Sequence, residues 1–228
     1  MSNDIAALAA LMASGDETRF RLRQGEITAV ASDNTCTVTI AGDTDNPISE
    51  VNYASTVCPV PGAGCWIATD GEDLFVVATI APYGPAWGNM RRTTQQIIGD
   101  STWTAANYST SVNRADEFNY GTTNGSAGIT VLVPGLWAIM ATPAIVGNAS
   151  GSGRAAAITK NGNRVWSGSL APASGTMDAR IVCAGTLELQ IGDVIGIDLF
   201  QNSGANRNTA VGTEQGLLNV RWIGPSPV

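Results

Sequence analysis

Two hydrophobic periods divide the chain. Over residues 4–15, DIAALAALMASG, apolar positions recur at helical spacing, and Ile5, Leu8 and Leu11 or Met12 share one stripe. Ser2, Asn3 or Asp4 can cap that helix and Gly15 can end it. A helix of about ten residues is marginal alone in water, so its stripe predicts docking. Three destinations are open: the chain's own next domain, a small bundle of identical helices, or a partner protein.

From Arg19 the period becomes two. Phe20 and Leu22 alternate with Arg19, Arg21 and Arg23, and the strand continues through Ile27, Ala29 and Val30 past a Gly25 that predicts a bulge. Ser32-Asp33-Asn34 makes a turn, after which Cys36, Val38 and Ile40 alternate with threonines. A polar stretch, residues 42–47, precedes Val51, Tyr53 and Val57. A hairpin follows, with Cys65–Ala68 and Leu74–Ile80 joined at Asp70-Gly71-Glu72-Asp73. About five short strands with a bulged first strand predict a small closed barrel of the OB type. The run PYGPAWGNM then reads as a semi-rigid linker.

Beyond the linker, strands are predicted at Thr94–Ile98, Ser101–Ala105, Phe118–Tyr120, Gly128–Val133, Gly135–Ala144, Arg154–Lys160, Asn163–Leu170, Met177–Leu189, Val194–Gln201 and Leu217–Ile223. Roughly eight to ten strands with polar turns fit a two-sheet jelly roll. The organisation expected is an N-terminal anchor helix at 1–16, a barrel at 17–82, a linker at 83–92 and a jelly-roll head at 93–228. The fold class is therefore all-β with one short helix.

Composition narrows the function. Only 14% of residues are charged, 44% are hydrophobic, and the 26 Gly and 10 Pro are scattered, which excludes disorder and fits many turns. No apolar run approaches the ~18 residues of a membrane span, so no membrane insertion is expected. The opening MSND lacks the basic start and apolar core of a secretory signal. A net charge of −7 argues against nucleic acid as a partner.

There is no histidine. This removes Ser-His-Asp triads, Cys-His nucleophiles and His-ligated zinc. A two-carboxylate glycosidase survives that argument, but no acidic pair stands framed by aromatic residues. Cys58 and Cys65, in CPVPGAGC, are too far apart for C-x-x-C chemistry. They read as buried apolar residues, or as a bridge in an oxidising medium. No enzyme activity, cofactor or metal site is expected.

The block RLRQGEITAVASDNTCTVTI with PVPGAGCWIATDGEDLFVVATI resembles OB-like domains in structural proteins of tailed bacteriophages. The second half carries four ordered cues: Pro134-Gly135-Leu136-Trp137, the Asn161-Gly162 hairpin turn, Leu189-Gln190-Ile191-Gly192-Asp193 before an apolar strand, and the final strand Leu217–Ile223. In that order they resemble the heads of the complement and tumour-necrosis-factor superfamily, phage fibre heads included. The resemblance implies an obligate homotrimer with one sheet of each protomer on a shared threefold axis.

It also assigns the stretch GDVIGIDLFQNSG. Ile195, Ile197 and Leu199 would enter the core, while Gly196, Asp198 and Phe200 would face the axis. Three copies of Asp198 would then meet and raise one another's pKa or recruit a cation; alternatively Asp198 faces solvent at a widening mouth. Ligand loops would be polar and near an aromatic: Tyr120, Gln201, Asn202, Asn206 and Arg207, whose amides and guanidinium suit sugar hydroxyls or simply make turns. The role expected is a virion protein: a homotrimeric tail-tip or fibre component that attaches to host-surface glycan and to other virion proteins through its N-terminal part. Capsid decoration is the alternative, and a free secreted lectin is a further one.

Overall fold

The computed structural model describes residues 21–31, 33–41, 43–54, 57–69, 73–80, 85–91, 94–107, 121–147, 150–170, 178–210 and 217–226. The expected helix stripe of Ile5, Leu8, Leu11 and Met12, and also Tyr120, lie outside the described residues. The chain divides into two units, Met1–Pro85 with Gly224–Val228 and Ala86–Ile223. All the regular structure among the described residues is β.

The first unit contains β1 (Arg21–Val30), β2 (Thr35–Ile40), β3 (Asp43–Tyr53), β4 (Gly64–Thr69) and β5 (Leu74–Ile80). They close into a barrel in the order β1-β2-β3-β5-β4, with β4 returning to β1. All neighbours are antiparallel except β3 and β5, which run parallel at Asn52 and Tyr53. Ile27, Cys36, Val38, Val51, Tyr53, Ile67 and Val76 fill the interior. These are β-branched, aromatic or small side chains at every second position, the pattern a pleated wall needs.

Two local expectations change. The bulge lies between Ile27 and Ala29, not at Gly25. Gly25 answers a different demand: a β-carbon there would lie 2.4 Å from the Thr39 carbonyl oxygen and 2.6 Å from the Ile67 side chain. The polar stretch before Val51 is the start of β3, which pairs with β2 through two register shifts that absorb its irregularity. Leu22 alternates with Arg21 and Arg23 as read, but all of β1 from Arg21 to Gln24 is exposed, Leu22 by 42%.

Cys36, Cys58, Cys65 and Cys183 are all buried, and the Cys58–Cys65 bridge is not formed. Burial pushes the Cys36 thiol up to about 12 and Cys65 to about 11. Cys183 is raised for the same reason.

The second unit opens with β6 (Trp87–Arg91), which corrects the linker reading. Trp87, Asn89 and Arg91 alternate with buried Gly88 and Met90, and the segment pairs with the last strand of the chain. Then come β7 (Ile97–Ile98), β8 (Thr104–Ala105), β9 (Thr122–Gly125), β10 (Gly128–Val131), β11 (Gly135–Thr142), β12 (Ala144–Ile145) and β13 (Arg154–Lys160). The chain continues through β14 (Asn163–Leu170), β15 (Ala179–Arg180), β16 (Cys183–Leu189), β17 (Val194–Gln201), β18 (Arg207–Asn208) and β19 (Leu217–Gly224).

Two sheets dominate. One has the order β14-β13-β17-β10-β9, with β8 also paired to β17; the other is β16-β11-β19-β6. Ile129, Val131, Ile158, Ile195, Ile197 and Leu199 from the first are buried, as are Trp137, Ile139, Leu189, Leu218, Val220 and Trp222 from the second. The two buried indoles keep their N–H donors satisfied, Trp137 on the Val133 carbonyl at 3.1 Å and Trp222 on the Pro134 carbonyl at 3.0 Å. The expected hairpin turns at Asn161 (φ 52°) and Gly162 (φ 78°), the left-handed pair that a two-residue turn of this kind requires.

Candidate functional site

The face of β17 that is turned away from the core meets the chain's own residues. Ile195, Ile197 and Leu199 are buried as expected. Each residue of the other face has an intrachain neighbour. A β-carbon on Gly196 would lie 2.6 Å from the Ala127 carbonyl oxygen and 2.9 Å from the Thr159 hydroxyl, so the β9–β10 turn closes directly over that position. Asp198 lies 3.6 Å from Nε of Arg164. The Phe200 ring is 5.4 Å from Trp103, and the Arg164 guanidinium lies 4.7 Å over that Trp103 ring.

Gly196, Asp198 and Phe200, expected at a threefold axis, thus stand in an intrachain cluster. Trp103 precedes β8 and Arg164 sits on β14, so four strands assemble it: β8, β17, β13 and β14. Burial raises the Asp198 carboxyl above its ordinary value, and Arg164 offsets this only in part. No group of three or more Cys, Asp or Glu side chains among the described residues is arranged to hold a metal ion.

The proposed ligand loop is built differently from its reading as a polar surface. Gln201 is fully buried. Its amide donates to the carbonyls of Ala205 (2.9 Å) and Ile98 (3.3 Å), and its Oε1 accepts from the Ser203 amide (2.8 Å) and hydroxyl (2.6 Å). Asn202 Oδ1 accepts from the amides of Ser152 (3.0 Å) and Gly153 (2.8 Å). Asn206 Oδ1 accepts from the Asp100 amide at 3.3 Å, and Arg207 Nε donates to the Ser203 hydroxyl at 2.9 Å.

These four residues hold loops to one another. Arg154 joins them: it is almost wholly buried and donates to the carbonyls of Gly153 (2.8 Å) and Ser150 (3.0 Å). Burial lowers its pKa, and nearby Arg207 lowers it further.

Sequence reasoning missed a second polar knot. Asp193 follows the turn into β17, and its carboxylate accepts from Lys160 Nζ (2.9 Å), the Gln190 amide (2.7 Å) and Asn161 Nδ2 (2.6 Å). Asn161 Oδ1 accepts in return from the Val194 amide at 2.8 Å. The only sequence signal was the Gly-Asp pair before an apolar strand.

The four-stranded sheet turns a different surface outward. Leu136, Ala138 and Met140 project from β11 opposite Glu188, Thr186 and Ala184 of β16. Leu217, Asn219 and Arg221 of β19 lie opposite Arg91, Asn89 and Trp87 of β6. Met140 is 45% exposed and Ile223 52%. Long apolar side chains are thus mixed into the outward side of this sheet.

No protein-family model and no curated protein matches the chain. Among solved structures, the chain is similar to the Eiger TNF of S. frugiperda, with a TM-score of 0.51 and 9% identity over 63% of this chain and 96% of that one. It also aligns with murine APRIL, with a TM-score of 0.45 and 13% identity over 61% of this chain and 99% of that one. The likeness to Eiger is one of fold, and the second unit is a TNF-like jelly roll.

Proposed function

We propose that the chain is a structural, non-catalytic protein of a bacteriophage virion. In this reading it is a homotrimeric tail-tip or fibre component whose jelly-roll heads attach to host-surface glycan. The observation that carries it is the outward face of β16-β11-β19-β6. The outward side of a sandwich sheet is ordinarily solvated and polar, yet this one sets Leu136, Ala138, Met140, Leu217 and Ile223 among its polar residues Thr186, Glu188, Asn219 and Arg221. Copies of the chain would bury that face against each other around a threefold axis. The face of β17, occupied by its own chain, would lie elsewhere.

Two features support the rest of the reading. The barrel order β1-β2-β3-β5-β4, closed through antiparallel β4–β1 and parallel β3–β5 pairs, supports an OB-type domain like those of phage structural proteins. Leu22, Phe75 and Ile80 are exposed apolar side chains on the barrel, which favours protein partners in the virion over nucleic acid. Trimeric display would turn weak glycan sites into firm attachment through avidity.

Oligomeric state tests the carrying observation. Light scattering is expected to give three chains per particle. Met140 is 45% exposed in the single chain, so burying that exposed part contributes about 1 kcal/mol per protomer; an arginine there would be a charge buried without a partner, and Met140→Arg is expected to yield monomers with unchanged circular dichroism. A wild-type monomer at micromolar concentration, or an intact Met140→Arg trimer, would overturn the assignment of that face.

A further inference from the structure

We infer that the outward face of the six-stranded sheet around Asp198 is a carbohydrate site, with Trp103 and Phe200 as its apolar wall and Arg164 with Asp198 as its polar pair. This rests on the glycan-attachment reading above and names where on the head the sugar sits.

The argument starts from strand register. Ala105, Asp198, Ala157 and Ser167 stand in one row across β8, β17, β13 and β14. The next row holds Phe200, Ala155 and Ser169, with Trp103 against Phe200 at its end. At strand spacings of about 4.8 Å and a same-face repeat of about 7 Å, the two rows cover roughly 14 Å by 7 Å, the scale of one or two pyranose rings. The floor of that area is alanine and serine: Ala157 is covered beneath the larger side chains, whereas Ser167 and Ser169 of β14 are exposed and leave the β13–β14 side low and open. Among the described residues, the large side chains that rise from it are two aromatics, a guanidinium and a carboxylate.

That set matches what a pyranose offers. One face of the ring is a patch of C–H groups that packs on an aromatic surface, and its edges are vicinal hydroxyls that both donate and accept. A carboxylate accepts from two hydroxyls and a guanidinium donates to two, and such bonds are stronger for being charge-assisted. The Arg164–Asp198 separation of 3.6 Å is a loose ion pair, and the Arg164 side chain is 48% exposed. Both groups therefore keep hydrogen-bonding capacity for a ligand. The guanidinium is held in place by Trp103 beneath it, so the polar groups are positioned before anything binds.

The carboxylate is held there at an electrostatic cost. Burial disfavours the Asp198 carboxylate more than Arg164 favours it.

The probes are methyl glycosides of glucose, galactose, mannose, rhamnose, N-acetylglucosamine and galacturonic acid, titrated into the full chain and followed by tryptophan fluorescence and heteronuclear NMR. At least one probe is expected to bind. Trp103→Ala and Asp198→Asn should each weaken it tenfold or more, with Asp198→Asn leaving the unfolding midpoint unchanged or higher. Ser167→Glu, which keeps all four large side chains and fills the floor, should also abolish binding. If a glycoside binds the wild type and all three variants equally, the site is wrong and the glycan reading stands. If none binds the wild type, the attachment reading falls and the site with it.

Discussion

Replacing Asp193 with Asn probes the knot that ties the Asn161-Gly162 hairpin to the start of β17. The wild-type carboxylate accepts three hydrogen bonds, from Lys160 Nζ, the Gln190 amide and Asn161 Nδ2. A bond to a charged group contributes about 1.5–3 kcal/mol. The three are coupled through one carboxylate, and the Lys160 part is reduced by that side chain's 30% exposure. The amide also turns a donor toward one of the three donors. We expect a net loss of about 2–3 kcal/mol, or about 6–12 °C in Tm for a unit of this size.

The pH dependence provides a second reading of the same bond set. Burial pushes the Asp193 carboxyl up, but the Gln190 amide, Lys160 and Asn161 together pull it below its ordinary value. A depressed carboxylate adds stability that is fully present above the unfolded pKa, near 4, and lost as the pH falls through the lower folded value. The gap between wild type and Asp193→Asn should therefore be constant from neutral pH to about pH 5 and close in stronger acid. Urea unfolding followed by tryptophan fluorescence measures it, since Trp87, Trp103, Trp137, Trp166 and Trp222 all lie in the second unit. A gap below about 0.5 kcal/mol at pH 7, or one that persists unchanged at about pH 2, would refute the account.

Gly196→Ala should cost about 1–3 kcal/mol, because its β-carbon meets the Ala127 carbonyl and the turn must shift; faster amide exchange confined to the β9–β10 turn would locate the damage, and a neutral variant would show that turn to be adaptable. A disulfide reagent at pH 8 should leave Cys36 and Cys65 unlabelled until the barrel unfolds, given thiols pushed up to about 12 and about 11; rapid labelling of the native protein would contradict their burial.

What could be read from the sequence follows from which interactions are local. β5, β13, β14 and β17 were legible end to end, since each is bounded by turn residues and alternates or runs apolar. The Asn161-Gly162 turn was legible for the same reason. β3 was hidden because its first half is polar and contains Pro47, and its pairing depends on β2. β6 was hidden because its glycines and proline-rich approach look like a linker, and only the distant β19 makes it a strand.

The second face of β17 shows the limit most clearly. Asp198 and Phe200 announced that something must cover them. Their partners Arg164 and Trp103 are far away in sequence, and nothing local distinguishes a neighbour in the same chain from one in another copy. Gln201 misled in the opposite direction. A polar residue in a Gly- and Asn-rich stretch reads as surface, whereas here its amide is buried and bonds three groups of its own loop and the distant Ile98 carbonyl.

The pairing of β6 with β19 sets the order of events during synthesis. The barrel has all five of its strands once Ile80 has emerged from the ribosome, so it can close early. The head has to wait: its four-stranded sheet keeps β6 and β11 on either side of a gap until β19, far along the chain from both, arrives. Contacts between such distant segments form slowly, and a sheet missing its middle strand leaves two raw edges exposed. A ribosome paused just short of residue 217 would therefore hold a finished barrel and an unsealed head, the state in which neighbouring nascent chains are most prone to tangle.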